Sequence, residues 1–142
     1  EEIPVLRGER KPGGFKGFKG FCRGLYHSQM LRWEPIESAQ PVVTGTPVRG
    51  LPLWQIIHTP GHTAGGISLY HPASQILICG DVLSCVDGKL KGADRSSAED
   101  PAALTATLQA LAKMDCDTLC CGHGDVLRSG AFRHIEAVAK AK

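Results

Sequence analysis

A short, continuous apolar run in the middle of the chain constrains the fold more than any other feature. Residues 76–79 read Ile-Leu-Ile-Cys, with no polar residue among them, and Gly80 and Asp81 follow directly. A strand that is apolar at every position is typical of strands buried on both faces, because a strand with one solvent-exposed face would alternate apolar and polar residues. The run therefore predicts a strand inside a layered sheet, with other elements packed against it.

Further strand signals lie on both sides of this run, separated by proline and glycine. Strands are predicted at 33–36, 42–43, 53–58, 67–70 and 118–121. The segment 72–75 reads Pro-Ala-Ser-Gln and predicts the turn of a hairpin between 67–70 and 76–79.

Two helices are predicted in the second half of the chain. Asp100 is a good N-cap, Pro101 fits the first helical position, and Ser129 is predicted to cap the last helix. Leucines recur at i, i+4 and i+7 in the first helix and form one apolar stripe, made of Leu104, Leu108 and Leu111. Strands followed by helix, strand and helix predict an α/β (α+β) fold with helices covering one face of a sheet.

Charge balance and cysteine pattern exclude several classes of protein. Lysine and arginine number 16 against 14 aspartate and glutamate, a net charge of +2 that indicates neither nucleic-acid nor membrane binding. No apolar run approaches the ~18 residues that span a bilayer, and no signal peptide is visible. The six cysteines form no CxxC pair, and Cys120 adjoins Cys121, so we expect reduced thiols in a cytoplasmic protein.

The first 32 residues differ in composition from the rest, because they are rich in glycine and in basic residues. Residues 7–23 contain six basic side chains and a single acidic one, Glu9. A short Phe-Lys-Gly repeat lies within them, at 15–21. Alternating aromatic and basic side chains can stack on bases and hold phosphates, so a nucleic-acid-binding or anion-binding module is one interpretation. The preferred interpretation is a surface loop whose phenylalanines contact the core.

Three short motifs carry the candidate chemistry, and each lies at the end of a predicted strand. The first begins at His58 and presents His62 on a turn. The spacing of these two histidines would suit metal ligands on a helix, but Pro60 and Gly61 between them exclude a helix. We therefore expect His58 to end its strand with a hydrogen-bonded imidazole, and His62 to be the candidate ligand.

The second motif is Gly80-Asp81, and the third is Gly122-His123-Gly124. A carboxylate beside a buried strand must be paired, hydrogen-bonded or bound to metal, because burying it alone is costly. Each motif alone is more typical of a structural turn residue. Together, His62, Asp81 and His123 are a coherent set of divalent-metal ligands, since the strand ends of one sheet can bring distant positions together.

In this order and at these intervals, the three motifs resemble the later metal-binding motifs of the metallo-β-lactamase-fold hydrolases. The stretch from about residue 53 to 138 resembles the C-terminal half of that superfamily, closest to its hydroxyacylglutathione hydrolase-like group. The resemblance implies part of a four-layer αββα sandwich, mainly the C-terminal sheet and its helices. It also implies that 1–142 is one incomplete domain, with 1–32 as a basic Gly/Phe-rich lead-in and 33–142 as a sheet with covering helices.

The resemblance implies a role for each site residue. His62 would complete the first metal site, Asp81 would bridge two metals, and His123 would belong to the second site. The divalent ions, zinc before iron or manganese, would activate a hydroxide that attacks an ester, thioester or similar bond of a small-molecule substrate. Asp81 is thus the predicted catalytic residue, while Tyr26 and Phe18 are substrate-binding candidates by position alone.

The first metal-binding motif of that superfamily, HxHxDH, is absent from the 142 residues. Two ions are therefore expected in the complete family site, and one or none in this chain. Three explanations stay open: a front segment was cleaved or omitted, a homodimer covers the exposed sheet, or the chain is a catalytically inactive, degenerate member. The first is preferred.

Overall fold

A computed structural model describes residues 36, 38 and 40–141. The strands are β1 (Pro47–Val48), β2 (Leu51–His58), β3 (Ile67–His71), β4 (Ile76–Val86), β5 (Lys89–Gly92) and β6 (Thr118–Gly124). The helices are α1 (Pro101–Leu111) and α2 (Ala131–Lys140), and a 3-10 turn at Pro72–Ser74 joins β3 to β4. The candidates Tyr26 and Phe18, together with the basic segment 7–23, lie outside the described residues, so the division at residue 32 stays a prediction.

The six strands form one mixed sheet around the long central strand β4. Antiparallel neighbours follow the order β1-β2-β3-β4-β5, with β3 on the first half of β4 and β5 on its second half. The last strand, β6, pairs with β4 in parallel, which requires a crossover connection, and α1 lies in that connection. The predicted α/β (α+β) fold and the predicted hairpin turn are confirmed.

The core lies between the sheet and the two helices, which cover the same face. Side chains of β4 and β6 pack there against α1 and α2, and the buried set includes Leu77, Leu83, Leu104, Leu108, Leu111, Leu119, Ala131 and Ile135. Full burial of a leucine contributes roughly 1.5–3 kcal/mol each, so this layer is the main source of stability in the described part. The predicted leucine stripe of α1 is confirmed.

The apolar run belongs to a longer strand than the sequence predicts. Gly80 adopts φ +56, and the pairing of β4 with β6 is irregular there, yet the strand resumes and continues to Val86. Asp81 therefore lies inside β4, and His123 is the penultimate residue of β6, whereas both were expected beyond their strands. His62 lies on the loop between β2 and β3, as predicted.

The predicted strand at 42–43 is wrong. Val43 instead opens a turn, in which its carbonyl accepts a hydrogen bond from the Thr46 amide at 3.2 Å, and Gly45 adopts φ +81. Strand pairing begins only at Pro47. Of the predicted strand at 33–36, only Ile36 belongs to the described residues.

The predicted cap of the last helix is also wrong, while the cap of the first is confirmed. Asp100 Oδ1 accepts hydrogen bonds from the next helix amides at 2.9 and 3.0 Å, as an N-cap should. The N-cap of α2 is Gly130 and not Ser129, and the Gly130 amide donates to Asp117 Oδ1 at 2.7 Å. The start of α2 is thus held by a residue that precedes β6. Within the described part of the chain, no helix combines the length and apolar character needed to cross a bilayer.

Candidate metal centre

The sheet and one loop bring the three predicted ligands together. His62 Nε2 lies 3.8 Å from Asp81 Oδ2, and His123 Nε2 lies 3.5 Å from Asp81 Oδ1. The carboxylate thus stands between two imidazoles, with one oxygen toward each. Neither separation is that of a good hydrogen bond, so the ring nitrogens and the carboxylate oxygens face one space without being paired to each other.

The site is sheltered on one side and open on the other. The side chains of His62, Asp81 and His123 are 30%, 45% and 76% exposed, respectively. A cavity of about 360 Å³, within the size range of small-ligand clefts, lies beside His62 and Asp81 but does not include His123. It is lined by Thr59, His62, Thr63, Gly66, Ile67, Cys79, Gly80, Asp81 and Val82. A second cavity, of about 310 Å³ between β2 and α1, contains none of the three predicted ligands.

The residues present fit part of a metal site. Imidazole nitrogens and a carboxylate are the usual ligands of zinc and of related divalent ions. His62 Nδ1 is buried and has no hydrogen-bond partner among the described residues, so this ring needs a partner that they do not supply. However, no group of three His, Cys, Asp or Glu side chains in the described ranges is arranged to hold an ion by itself. Further ligands would have to complete the site.

Gly122 determines where the Asp81 carboxylate can lie. A Cβ at position 122 would come within 2.0 Å of Asp81 Oδ1 and 3.0 Å of the Gly80 carbonyl carbon. The carboxylate therefore lies directly over the backbone of β6, beside His123. The sequence drew attention to this glycine as a neighbour of the histidine, but its contact with Asp81 follows from the pairing of β4 with β6.

The loop that carries His62 is fastened to α1. The Thr107 hydroxyl donates to the Pro60 carbonyl at 2.7 Å, and the Asp100 amide donates to the Gly61 carbonyl at 3.0 Å. The loop also closes on itself, because His58 Nε2 contacts the Ala64 carbonyl at 2.9 Å. The expected structural role of the His58 imidazole is therefore confirmed.

The thiols near the site belong to the core. Five of the six cysteines are described, and none of these five forms a disulfide bond: Cys79, Cys85, Cys116, Cys120 and Cys121. A hydrogen bond to Cys121, together with burial, raises the pKa of the Cys79 thiol, and the same hydrogen bond lowers the pKa of Cys121. Both side chains pack with the buried residues beneath the helices.

The region that holds these residues matches a known protein family. A family model described as the metallo-beta-lactamase superfamily matches residues 33–123. The chain belongs to the metallo-beta-lactamase superfamily. The matched stretch covers more than half of the chain and includes His62, Asp81 and His123, and members of the superfamily are generally hydrolases.

Curated relatives narrow the resemblance within the superfamily. Proteins named hydroxyacylglutathione hydrolase from Brucella ovis and Brucella abortus are each 40% identical to this chain over 70 residues. The matched segment is 49% of this chain and 25% of each relative, so the chain spans about a quarter of the length of these curated relatives.

Solved structures show the same fold. TTHA1623 in a di-iron-bound form gives a TM-score of 0.65 at 21% identity, over 96% of this chain and 59% of that chain. The metallo-beta-lactamase family protein TTHA1429 from Thermus thermophilus gives 0.63 at 16% identity, over 98% of this chain and 48% of that one. The DIM-1 metallo-beta-lactamase gives 0.54 at 22% identity, over 76% of this chain and 50% of that one. The described sheet and helices are part of the superfamily's sandwich.

Proposed function

We propose that this chain is part of a metal-dependent hydrolase that cleaves an ester, thioester or similar bond, with His62, Asp81 and His123 in its metal centre. The observation that carries the proposal is the Asp81 carboxylate standing between the Nε2 atoms of the two histidines. Superfamily membership supports hydrolysis in general. The relatives named hydroxyacylglutathione hydrolase favour a thioester over an ester or another similar bond.

Zinc is the first choice of ion, and iron or manganese are the alternatives. A bound divalent ion would supply a water of lowered pKa and would polarise the carbonyl oxygen of the substrate. The di-iron-bound structural neighbour keeps iron among the candidates. Ligands beyond the three named here are needed for either one ion or two, because the described residues do not form a closed set.

Each of the three candidate ligands has a proposed role that follows from its position in the site. Asp81 directs one oxygen toward each histidine, so it can serve two ions in a complete site and is the proposed catalytic carboxylate. His62 holds the sheltered side of the centre. His123, the most exposed of the three, leaves its side open to a small-molecule substrate. The cytoplasmic location expected from the thiols stays a prediction.

The test is metal content and turnover measured on the same samples of full-length protein. We expect at least one equivalent of zinc, iron or manganese by elemental mass spectrometry, and hydrolysis of a model thioester. His62→Ala, Asp81→Ala and His123→Ala should each lower turnover by more than the ~10–100-fold typical for loss of an outer-shell partner, and should each retain less metal than wild type. His134→Ala, on the exposed side of α2, is the matched histidine control and should change neither.

Two results would overturn the proposal. A full-length protein with neither bound metal nor turnover would favour the alternative that this chain is a catalytically inactive, degenerate member of the superfamily. Metal retained in all three ligand variants would locate the ion elsewhere.

A further inference from the structure

Glu99, the residue before the N-cap of α1, holds the middle of the loop that carries His62. Its Oε2 accepts a hydrogen bond from the Ala64 amide at 2.7 Å, and its own amide donates to the His62 carbonyl at 3.1 Å. The next residue, Asp100, donates its amide to the Gly61 carbonyl at 3.0 Å. These bonds fix the peptide groups on both sides of the His62 α-carbon.

The loop makes further hydrogen bonds. Near its middle, the Gly61 amide donates to the Thr63 carbonyl at 3.0 Å and His58 Nε2 contacts the Ala64 carbonyl at 2.9 Å. Thr107 holds the Pro60 carbonyl, and the Thr59 amide donates to the Gly66 carbonyl at 2.8 Å. The bond from Ala64 to Glu99 differs from these because its acceptor is a carboxylate. Hydrogen bonds to an ionised acceptor are roughly twice as strong as neutral ones, so this bond should dominate the middle of the loop.

Close packing couples the loop to the helix. Gly61 adopts φ +126, and a Cβ there would lie 2.3–2.6 Å from the backbone and Cβ of Leu104. The loop therefore rests directly on the first turn of α1, immediately after Glu99 and Asp100. Removing the Glu99 carboxylate would release the Ala64 amide, two residues after His62, while the backbone bonds to Gly61 and His62 remain.

The imidazole of His62 has little else to anchor it. Its Nδ1 has no hydrogen-bond partner among the described residues, and its Nε2 lies 3.8 Å from Asp81 Oδ2. The side chain is only 30% exposed, so the position of the ring depends on packing and on the backbone that carries it.

We infer that Glu99 is a positioning residue of the proposed centre, whose carboxylate holds the His62 imidazole opposite Asp81 through the Ala64 amide. The inference rests on the proposed function, because it takes His62 as a ligand. Glu99 touches neither the ion nor the substrate in this assignment. Its effect passes through the backbone of one loop.

The first test compares zinc affinity in full-length protein, by competition with a chromophoric chelator. Glu99→Ala should weaken zinc binding by about 10-fold or more, the effect typical of an outer-shell partner. Glu99→Gln keeps an acceptor oxygen and should restore most of the affinity. Glu136→Ala removes an exposed glutamate paired with Lys140 on α2, and should leave zinc affinity unchanged. A Glu99→Ala protein with wild-type zinc affinity would overturn the inference.

The second test needs no metal and separates this inference from the proposed function. In NMR spectra of metal-free protein, Glu99→Ala should shift the Ala64 amide proton upfield and broaden or split the His62 ring signals, while Glu99→Gln should leave the ring signals sharp. Unchanged ring signals in Glu99→Ala would overturn the positioning role. If wild-type protein binds none of zinc, iron and manganese, or His62→Ala binds the ion equally well, the proposed function fails, and the ring signals still decide whether Glu99 positions His62.

Discussion

At the scale of single residues, the candidate site depends on the lack of a side chain at Gly122 as well as on its candidate ligands. Asp81 can stand between two histidines because Gly122 leaves room for its carboxylate over β6. A side chain at that position would occupy the space of Oδ1 and push the carboxylate away from His123. The glycine is therefore part of the proposed centre, although it contributes no ligand atom.

We predict that Gly122→Ala weakens both metal binding and the stability of the fold. The new methyl group would displace the Asp81 carboxylate, so zinc affinity should fall by about 10-fold or more. Overpacking should lower the free energy of unfolding by about 1–3 kcal/mol, which a urea titration would measure. Gly88→Ala is the control for zinc affinity, because a Cβ there meets no atom within 4 Å; its φ of +69 should cost stability without changing zinc binding. Equal zinc affinity in Gly122→Ala and wild type would contradict the prediction.

A buried thiol supplies a prediction about pH. Cys116 is fully buried and its thiol donates to the Thr118 carbonyl at 3.3 Å; burial raises the pKa of this thiol from 9.0 to about 11. The unfolded chain releases this proton near pH 9, while the folded chain keeps it until about pH 11. The folded state therefore loses stability as pH rises through this window, by roughly 2–3 kcal/mol.

Cys116→Ala should remove that part of the pH dependence. The measurement is the free energy of unfolding from urea titrations at about pH 8, 9.5 and 11, for wild type and variant. The curve of the variant should be flatter between the unfolded and folded pKa values of the thiol, whatever its stability at the lowest pH. A variant whose stability falls as steeply as the wild type would contradict the assignment to Cys116.

At the scale of elements, the start of α2 depends on a residue distant in sequence. The amides of Ala131 and Phe132 donate to the carbonyls of Asp117 and Cys116, at 3.1 and 2.8 Å. The Asp117 carboxylate adds a third bond, from the Gly130 amide. The unpaired amides at this helix end are thus satisfied by the segment that leads into β6.

We predict that Asp117→Ala destabilises the fold by about 1–2 kcal/mol, the usual cost of losing a helix cap. Ser129→Ala should stay within about 0.5 kcal/mol of wild type, because Ser129 is exposed and makes no cap bond. Urea titrations of both variants measure the difference. A larger effect at Ser129 than at Asp117 would restore the sequence-based assignment of the cap.

At the scale of the whole molecule, the sheet has one covered face and one apolar face on which none of the described helices packs. Ile78 pairs with Leu69 on β3 and with Cys120 on β6, so these three side chains share the face opposite the buried Leu77. Ile67 belongs to the same face, and Ile67 and Ile78 are 41% and 38% exposed. Exposed isoleucines on one sheet face indicate an interface, although Ile56, which pairs with Leu69 on this face, is only 5% exposed.

We predict that the 142-residue chain self-associates or binds an apolar dye through this face. Ile78→Lys should lower dye fluorescence and shift sedimentation toward the monomer, because a charge at the centre of the face opposes burial. Val86→Lys, at the end of β4, is the control with the same change of charge on an exposed valine, and should behave as wild type. A wild-type chain that stays monomeric and binds no dye would contradict the prediction.

Local patterns were sufficient for much of the fold. The leucine stripe of α1 and its Asp100 cap depend on neighbours in sequence, and both were predicted correctly. The run at 76–79 forms the predicted strand, but Ile78 is 38% exposed, so the expected burial of both faces is not found in the described part of the chain. The cap of α2 and the strand at 42–43 were predicted wrongly, because a distant carboxylate and a local turn outweighed the local pattern. The true length of β4 was missed since the Gly80 irregularity interrupts the strand without ending it.

The sequence by itself determined which residues form the candidate site and which superfamily the chain resembles. Motif order and spacing are properties of the chain, and they identified His62, Asp81 and His123 without coordinates. Only the tertiary structure placed Asp81 between the histidines, located Gly122 beneath it and connected Glu99 to the His62 loop. These contacts join positions well separated along the chain, such as Ala64 and Glu99, which are 35 residues apart. Only strand pairing and helix packing bring such positions within hydrogen-bond or ion-pair distance, because no local pattern of residues encodes which distant segment will lie alongside.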